Sequence, residues 1–427
     1  MPDSQPQPPR NPGGDATSPG VPYGPAPGDS ALVLCGALLA DGRTVDVRLS
    51  DGRIEAVGTP GSVVPGPRVD LSGYLLLPAP AEPHAHSDTA LTADAEGPVP
   101  YAVQDVQRRA TEAALLQLGH GATALRSHVR IGGVQGLRSL EAVLQARRTL
   151  RGLTDLTPVA VPRLLTGVAG ADGLAMLRDA VKMGAAVGGC PDLDPDPTGY
   201  AEATLDLAAE YGCPVDLHTD GDDPPRLARL AAMAGGLRPG VTVGPCGGLA
   251  RLPRDQAARA AEQLAAAGVT VVCLPQGDCC ALERRGARVS QCAPVRLLRA
   301  AGVRVTAGSG AVRDAANPVG RGDPLEAAFL LASRGELCPA EAYEAVSGRA
   351  RAAMGLPRVR VEAGFPAELL AVRGERIEGV LSLAYSRLVV HQGRVVARTS
   401  AVREYCDSSA VAALDLPRQS SRGGEPS

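Results

Sequence analysis

Between Leu77 and Pro357 the chain repeats one alternation, a short apolar run followed by an Ala/Leu/Arg-rich amphipathic stretch. GATALRSHV precedes LRSLEAVLQARRTL, LTPVAVP precedes GLAMLRDAVKMG, CPVDLHTD precedes PPRLARLAAMAG, GVTVVCLP precedes VRLLRAAG, and GVRVTAGSG precedes PLEAAFLLASRG. Runs that are apolar throughout have no face to offer water, so they suit strands covered on both sides, and strands alternating with helices build parallel βα units. At this length the pattern predicts a closed (β/α)8 barrel. A doubly wound open sheet is the competing architecture, but no Gly-rich nucleotide fingerprint follows the first strand.

The flanks have a different texture. From Ala31, strand-like pieces are separated by Asp-Gly turns (ALVLCGALLA, DGR, TVDVRLS, DGR, IEAVG), and a similar pattern returns in AELLAV, RGERIEGV and SRLVVHQGRVVART. Asp-Gly between alternating segments implies hairpins. The expected organisation is therefore a small β-sandwich assembled from both ends, residues 30–76 with 358–403, bracketing a barrel over 77–357. Residues 1–29, rich in Pro and Gly with little to bury, and the tail 404–427 are expected to be disordered.

Composition narrows the function. The 43 Lys+Arg against 46 Asp+Glu leave a net charge of -3, without the basic footprint of a nucleic-acid or acidic-membrane partner. A small-molecule substrate is the expected partner, and homo-oligomerisation stays open. With no Trp, two Phe and eight Tyr, a pocket is poor in stacking surfaces. The ten Cys are scattered without a CxxC pair; no run approaches the roughly 20 apolar residues of a membrane span, and no secretion signal precedes them. Reduced thiols and a cytoplasmic location are expected.

Six histidines occur in the chain, and their placement is uneven. His84 and His86 follow an apolar run in LLLPAPAEPHAHSDTALT, and alternate residues of an extended segment face the same way, so one metal could accept both imidazoles. His218 closes the strand-like VDLHTD, and His128 sits in LRSHV near the end of another. Barrel chemistry gathers at the carboxyl ends of strands, where these four would lie. His120, on a helix before a turn, and His391, in the terminal β-segment, look incidental.

On these segments the chain resembles the metal-dependent amidohydrolase superfamily, and within it the cytosine deaminase group. LLLPAPAEPHAHSDTALT is similar to that group's strand-one signature, LRSHV to its Arg-Thr-His-Val segment, and VDLHTDGDD to its strand-five segment. VAVP, GGCPDLDP and GVRVTAGSG follow in the same order, so that the resemblance spans about residues 31 to 400. It implies a (β/α)8 barrel with a sandwich built from both ends, hydrolysis of carbon-nitrogen bonds in a small cyclic amine, amidine or amide, and one divalent metal, zinc or iron. His84, His86 and His218 match three of the metal ligands. His128 and Arg163, which follows VAVP, are candidate substrate contacts; an Arg there could clamp a carboxylate or phosphate or form a rim salt bridge.

Three positions depart from that pattern. The family's proton-shuttling Glu falls at Gly221, its strand-six His near Pro245, and its strand-eight metal-binding Asp at Gly310. General acid/base catalysis contributes about 10^2- to 10^4-fold, so a surrogate would be needed. Asp220 is the candidate base; its competing role is to cap the next helix, shared with Asp222 and Asp223, while Asp314 lies four residues past Gly310. The alternative expectation is a catalytically impaired homologue that has lost its metal and serves as a ligand-binding or regulatory protein. Asp192, Asp194 and Asp196 lack the Gly and Glu of a calcium loop and read as a solvated loop. Cys246, Cys273, Cys279 and Cys280 read mainly as small buried hydrophobes, with a reorganised metal site using Cys246 as the other reading.

Overall fold

The computed structural model describes residues 31–276, 292–383 and 385–401. Both expected disordered tails, 1–29 and 404–427, lie outside them, as do Cys279 and Cys280.

The chain opens with β1 (Leu32–Leu38), β2 (Thr44–Ser50), β3 (Arg53–Gly58), β4 (Arg68–Asp70) and β5 (Tyr74–Pro78). β1, β2 and β3 are antiparallel neighbours, and Gly52 takes a positive φ of 73° in the tight turn between β2 and β3. Eight barrel strands follow: β6 (Ala81–Ala85), β7 (Ala124–Ile131), β8 (Asp155–Pro162), β9 (Ala186–Gly189), β10 (Val215–Thr219), β11 (Val241–Pro245), β12 (Thr270–Cys273) and β13 (Arg304–Ala307). They pair in sequence order, all parallel. The last strands, β14 (Leu369–Arg373), β15 (Arg387–His391) and β16 (Arg394–Thr399), return to the first sheet, β14 pairing antiparallel with β5. A (β/α)8 barrel thus carries a small β-sandwich built from both chain ends.

Alternation along the barrel strands explains their sequences. Leu125, Val129, Ala160, Leu217, Val243, Val271 and Val305 enter the large apolar cluster shared with the surrounding helices. Residues between them on the same strands face the barrel interior, and this is where Arg126, His128, Asp216 and His218 lie. Helices at 138–149, 197–211, 224–234 and 254–266 cover the outside with faces of Leu, Ala and Val. No helix among the described residues is long and apolar enough to cross a membrane.

The ring is drawn together between its first and last strands by a side chain. Glu82 of β6 is fully buried and accepts hydrogen bonds from the backbone N–H of Ser309 at 2.8 Å, from the Ser309 hydroxyl, and from the backbone N–H of His84 at 2.9 Å. A Cβ on Gly308 would stand 2.5 Å from the Glu82 Oε1, so glycine is needed for this approach. The sandwich is pinned to the barrel by a buried bidentate pair. Arg387 of β15 donates to Asp323 at 2.8 and 2.6 Å and to the His120 carbonyl at 2.6 Å. Asp323 also caps the helix that follows β13, accepting from Leu325 N–H at 2.9 Å.

Candidate metal centre

His84 occupies the inward face of β6, two residues beyond Glu82, and His86 follows as the strand ends. His128 comes from β7 and His218 from β10. Each of the four offers a ligand atom within 4.8 Å of the others, and Nε2 of His218 faces Nε2 of His86 at 3.5 Å. Ring centroids lie 4.2 Å apart for His84 and His128 and 4.4 Å apart for His128 and His218. His84, His128 and His218 are buried and His86 is partly so.

Burial, and then the neighbouring imidazoles, push His84 and His128 well below the ordinary histidine pKa. Both are neutral at pH 7, the form in which imidazole can ligate a cation. Asp216, two residues before His218 on the same face of β10, places an Oδ2 3.1 Å from His128 Nε2 and 2.7 Å from the Arg126 guanidinium. Arg126 in turn donates to the carbonyls of Pro83 and Ala353.

The donor set suits a divalent ion. Four imidazoles converge, burial disfavours positive charge on His84 and His128, and buried His218 Nδ1 has no hydrogen-bond partner among the described residues. Nitrogen donors of this kind suit zinc, iron and related ions. His84, His86, His128 and His218 would hold it.

The three positions that depart from the family pattern are different. Gly221 and Gly310 both have φ near +72°, in the left-handed region that favours glycine. A Cβ would sit 3.2 Å from Leu249 at Gly221 and 3.3 Å from Leu274 at Gly310, so neighbouring leucines pack against both positions. Pro245 ends β11. Asp314 accepts from the Thr89 hydroxyl at 2.7 Å and from the N–H groups of Ala316 and Asn317, which shapes the loop after β13.

Asp220 is buried, with its carboxylate on the Arg251 guanidinium. The next helix is capped by Asp223, which accepts from Arg226 N–H at 3.0 Å. Arg163 is exposed directly after β8. The aspartates read as a solvated loop are instead structural: Asp194 is buried and accepts from the N–H groups of Leu165 and Asp196 at 2.9 Å, Asp192 accepts from Asp220 N–H at 2.9 Å, and Asp196 caps the helix at 197–211. The loops must satisfy their own buried N–H groups, and these carboxylates do so. His391 pairs with Glu368 at 2.9 Å and His120 approaches the Gly322 carbonyl at 3.3 Å, both outside the cluster. Cys246 and Cys273 belong to the apolar core.

Glu82, Arg126 and Asp216 were not singled out from the sequence. Their signal was available: each is a charged residue inside an apolar strand, two residues from a candidate histidine.

Residues 141–397, well over half of the chain, match the Amidohydrolase family. The chain belongs to the amidohydrolase family. Among curated relatives, this amidohydrolase is 26% identical over 392 residues to a pterin deaminase of Rhizobium rhizogenes, covering 83% of this chain and 88% of that one. Among solved structures it is similar to N-isopropylammelide isopropylaminohydrolase of Burkholderia multivorans, with a TM-score of 0.77 and 26% identity over 88% of this chain and 100% of that one. Its fold is also that of 5-methylcytosine deaminase of Klebsiella pneumoniae, with a TM-score of 0.74 at 22% identity, covering 89% and 100% of the two chains.

Proposed function

We propose that this amidohydrolase is a metal-dependent hydrolase that cleaves a carbon-nitrogen bond in a small cyclic amine, amidine or amide, as a deaminase does. The observation that carries the reading is the convergence of four imidazoles at the carboxyl ends of β6, β7 and β10. A divalent ion bound there would supply Lewis acidity, polarising the carbon under attack and acidifying water.

The protein's own groups do the rest. His84, His86 and His218 hold the ion, as the family resemblance implies, and His128 stands against them as a fourth donor or a substrate contact. Asp216 and Arg126 fix the His128 ring from below. Glu82 ties the end of β13 to the His84 backbone, so the strand-one ligand is set by the barrel seam. Asp220 is the surrogate base, and its carboxylate lies against the Arg251 guanidinium.

A second reading has its own observation. Gly221, Pro245 and Gly310 provide no ligand or base where the family pattern has three, which favours an impaired homologue that binds a ligand without turnover. Metal analysis of protein expressed with supplemented zinc or iron, followed by an ammonia-release screen over cyclic amines, amidines and carboxylate-bearing ureides, separates the two. About one divalent ion per chain with ammonia release is the expected result. Metal-free protein would overturn the hydrolase reading.

A further inference from the structure

The rim arginines of the barrel fall into two groups. Arg251 follows β11 and holds Asp220 and Asp222, Arg226 follows β10 and holds Asp192 and Asp223, and Arg313 follows β13 and holds Asp94. Arg130 and Arg163 are exposed, and neither makes an ion pair with a carboxylate among the described residues. Asp88 accepts from the backbone N–H of Arg130 at 3.1 Å, and its charge is felt there without an ion pair to the guanidinium.

Register places the two on one face. β7 and β8 are parallel neighbours with Arg126 opposite Thr157, His128 opposite Val159 and Arg130 opposite Val161. Arg126 touches Asp216 and His128 touches the other imidazoles, so the face that carries them is the barrel interior, and Arg130 is its next member toward the mouth. Arg163 lies two residues past Val161, in the bend directly after β8 ends at Pro162, on the carboxyl-end rim of the neighbouring strand. The outward residues of these strands, Leu125, Val129, Ile131, Leu156 and Ala160, are in the helix-facing core.

A planar guanidinium presents paired donors that match an oxyanion. Arg130 near the end of β7 and Arg163 just past the end of β8 stand beyond the histidine positions of neighbouring strands, and neither guanidinium makes an ion pair among the described residues. We propose that Arg130 and Arg163 bind an oxyanion group of the substrate, so that the molecule cleaved at the metal centre is an amine, amidine or amide bearing a carboxylate or phosphate remote from the reacting bond. This rests on the hydrolase reading for the reaction, while the anion site itself does not depend on turnover. It also fits a pocket with few aromatic side chains, where charge rather than stacking would orient the ring.

The test is equilibrium binding by calorimetry with matched probes, orotate against uracil for a carboxylate and uridine 5′-monophosphate against uridine for a phosphate. Wild-type protein should prefer one anionic member by about 10- to 100-fold, the scale of hydrogen bonds to a charged group. The Arg130→Met/Arg163→Met double variant should lose that preference, and the probe pair that responds identifies the oxyanion. No preference in either pair, or one the double variant retains, overturns the proposal. Metal content measured on the same samples keeps the two ideas apart. Metal-free protein with an arginine-dependent preference would sink the hydrolase reading alone, and metal-loaded protein with no preference would sink the anion site alone.

Discussion

The two sides of the barrel mouth use similar sequence material for different ends. On the side of β6, β7 and β10, the inward positions carry His84, His128 and His218, with Asp216 and Arg126 beneath them. On the side of β11 and β13, Pro245 and Gly310 offer no donor, and the nearby carboxylates Asp314 and Asp323 accept from a threonine hydroxyl, backbone N–H groups and Arg387. On the proposed reading one side serves chemistry and the other scaffolding. The seam joins them: Glu82 sits on the histidine strand yet accepts from Ser309 on the other. On the proposed reading the ligands come from three strands, and the eighth contributes only through the Ser309–Glu82 contact that fixes the His84 backbone.

The sharpest way to break this contrast is to remove a donor. His84→Ala or His218→Ala should abolish stoichiometric metal binding, an effect beyond the roughly 10- to 100-fold loss expected when only an outer partner is removed; competition with a chelator would measure it.

On the scaffold side, Arg387→Met leaves Asp323 buried without its partner and should cost about 3 to 5 kcal/mol in chemical denaturation, with metal content per folded chain unchanged. Burial raises the Asp323 pKa, but the Arg387 hydrogen bonds and charge outweigh it and hold the carboxyl below its ordinary value. A carboxylate depressed in the folded state contributes stability above its unfolded pKa of about 3.9. The difference between wild type and Arg387→Met should therefore be full at neutral pH and shrink as the pH falls below that value.

Asp216→Asn keeps the shape and removes the charge behind His128. It should weaken metal affinity about 10- to 100-fold and, by leaving buried Arg126 without its counter-charge, lower stability in chemical denaturation by up to about 3 to 5 kcal/mol. The smallest effect is expected from Gly310→Asp, which reinstates a carboxylate on the scaffold side. With a φ of +72° and Leu274 against the new Cβ, it should cost about 1 kcal/mol without tightening metal binding. A large gain in affinity would show that β13 is still within reach of the ion.

The histidine side was the more legible in sequence. A strand ending in HxH, and histidines closing two other apolar runs, carry their geometry in their period, because alternation fixes which way each side chain faces. The terminal hairpins were equally plain from their Asp-Gly turns. What the sequence concealed depends on turns and on contacts between distant segments. Asp220 meets Arg251 only because Cys246, with a φ of 56°, bends the chain into a short helical turn at 247–251, and no periodicity announces that. The loop aspartates looked solvated because neighbouring residues are polar, while Asp194 is buried against backbone N–H groups from another loop. His128 read as a substrate contact; that Asp216 backs it from β10 was visible only once β7 and β10 were set across one barrel.

On the proposed reading, imidazoles from β6, β7 and β10 hold the ion and β13 supplies no ligand. X-ray absorption at the metal edge, on protein loaded with zinc, tests it most directly. About one ion per chain is expected, with a first shell of imidazole nitrogens and exchangeable water. A protein carboxylate or thiolate in that shell, or a protein that binds no metal, would contradict it.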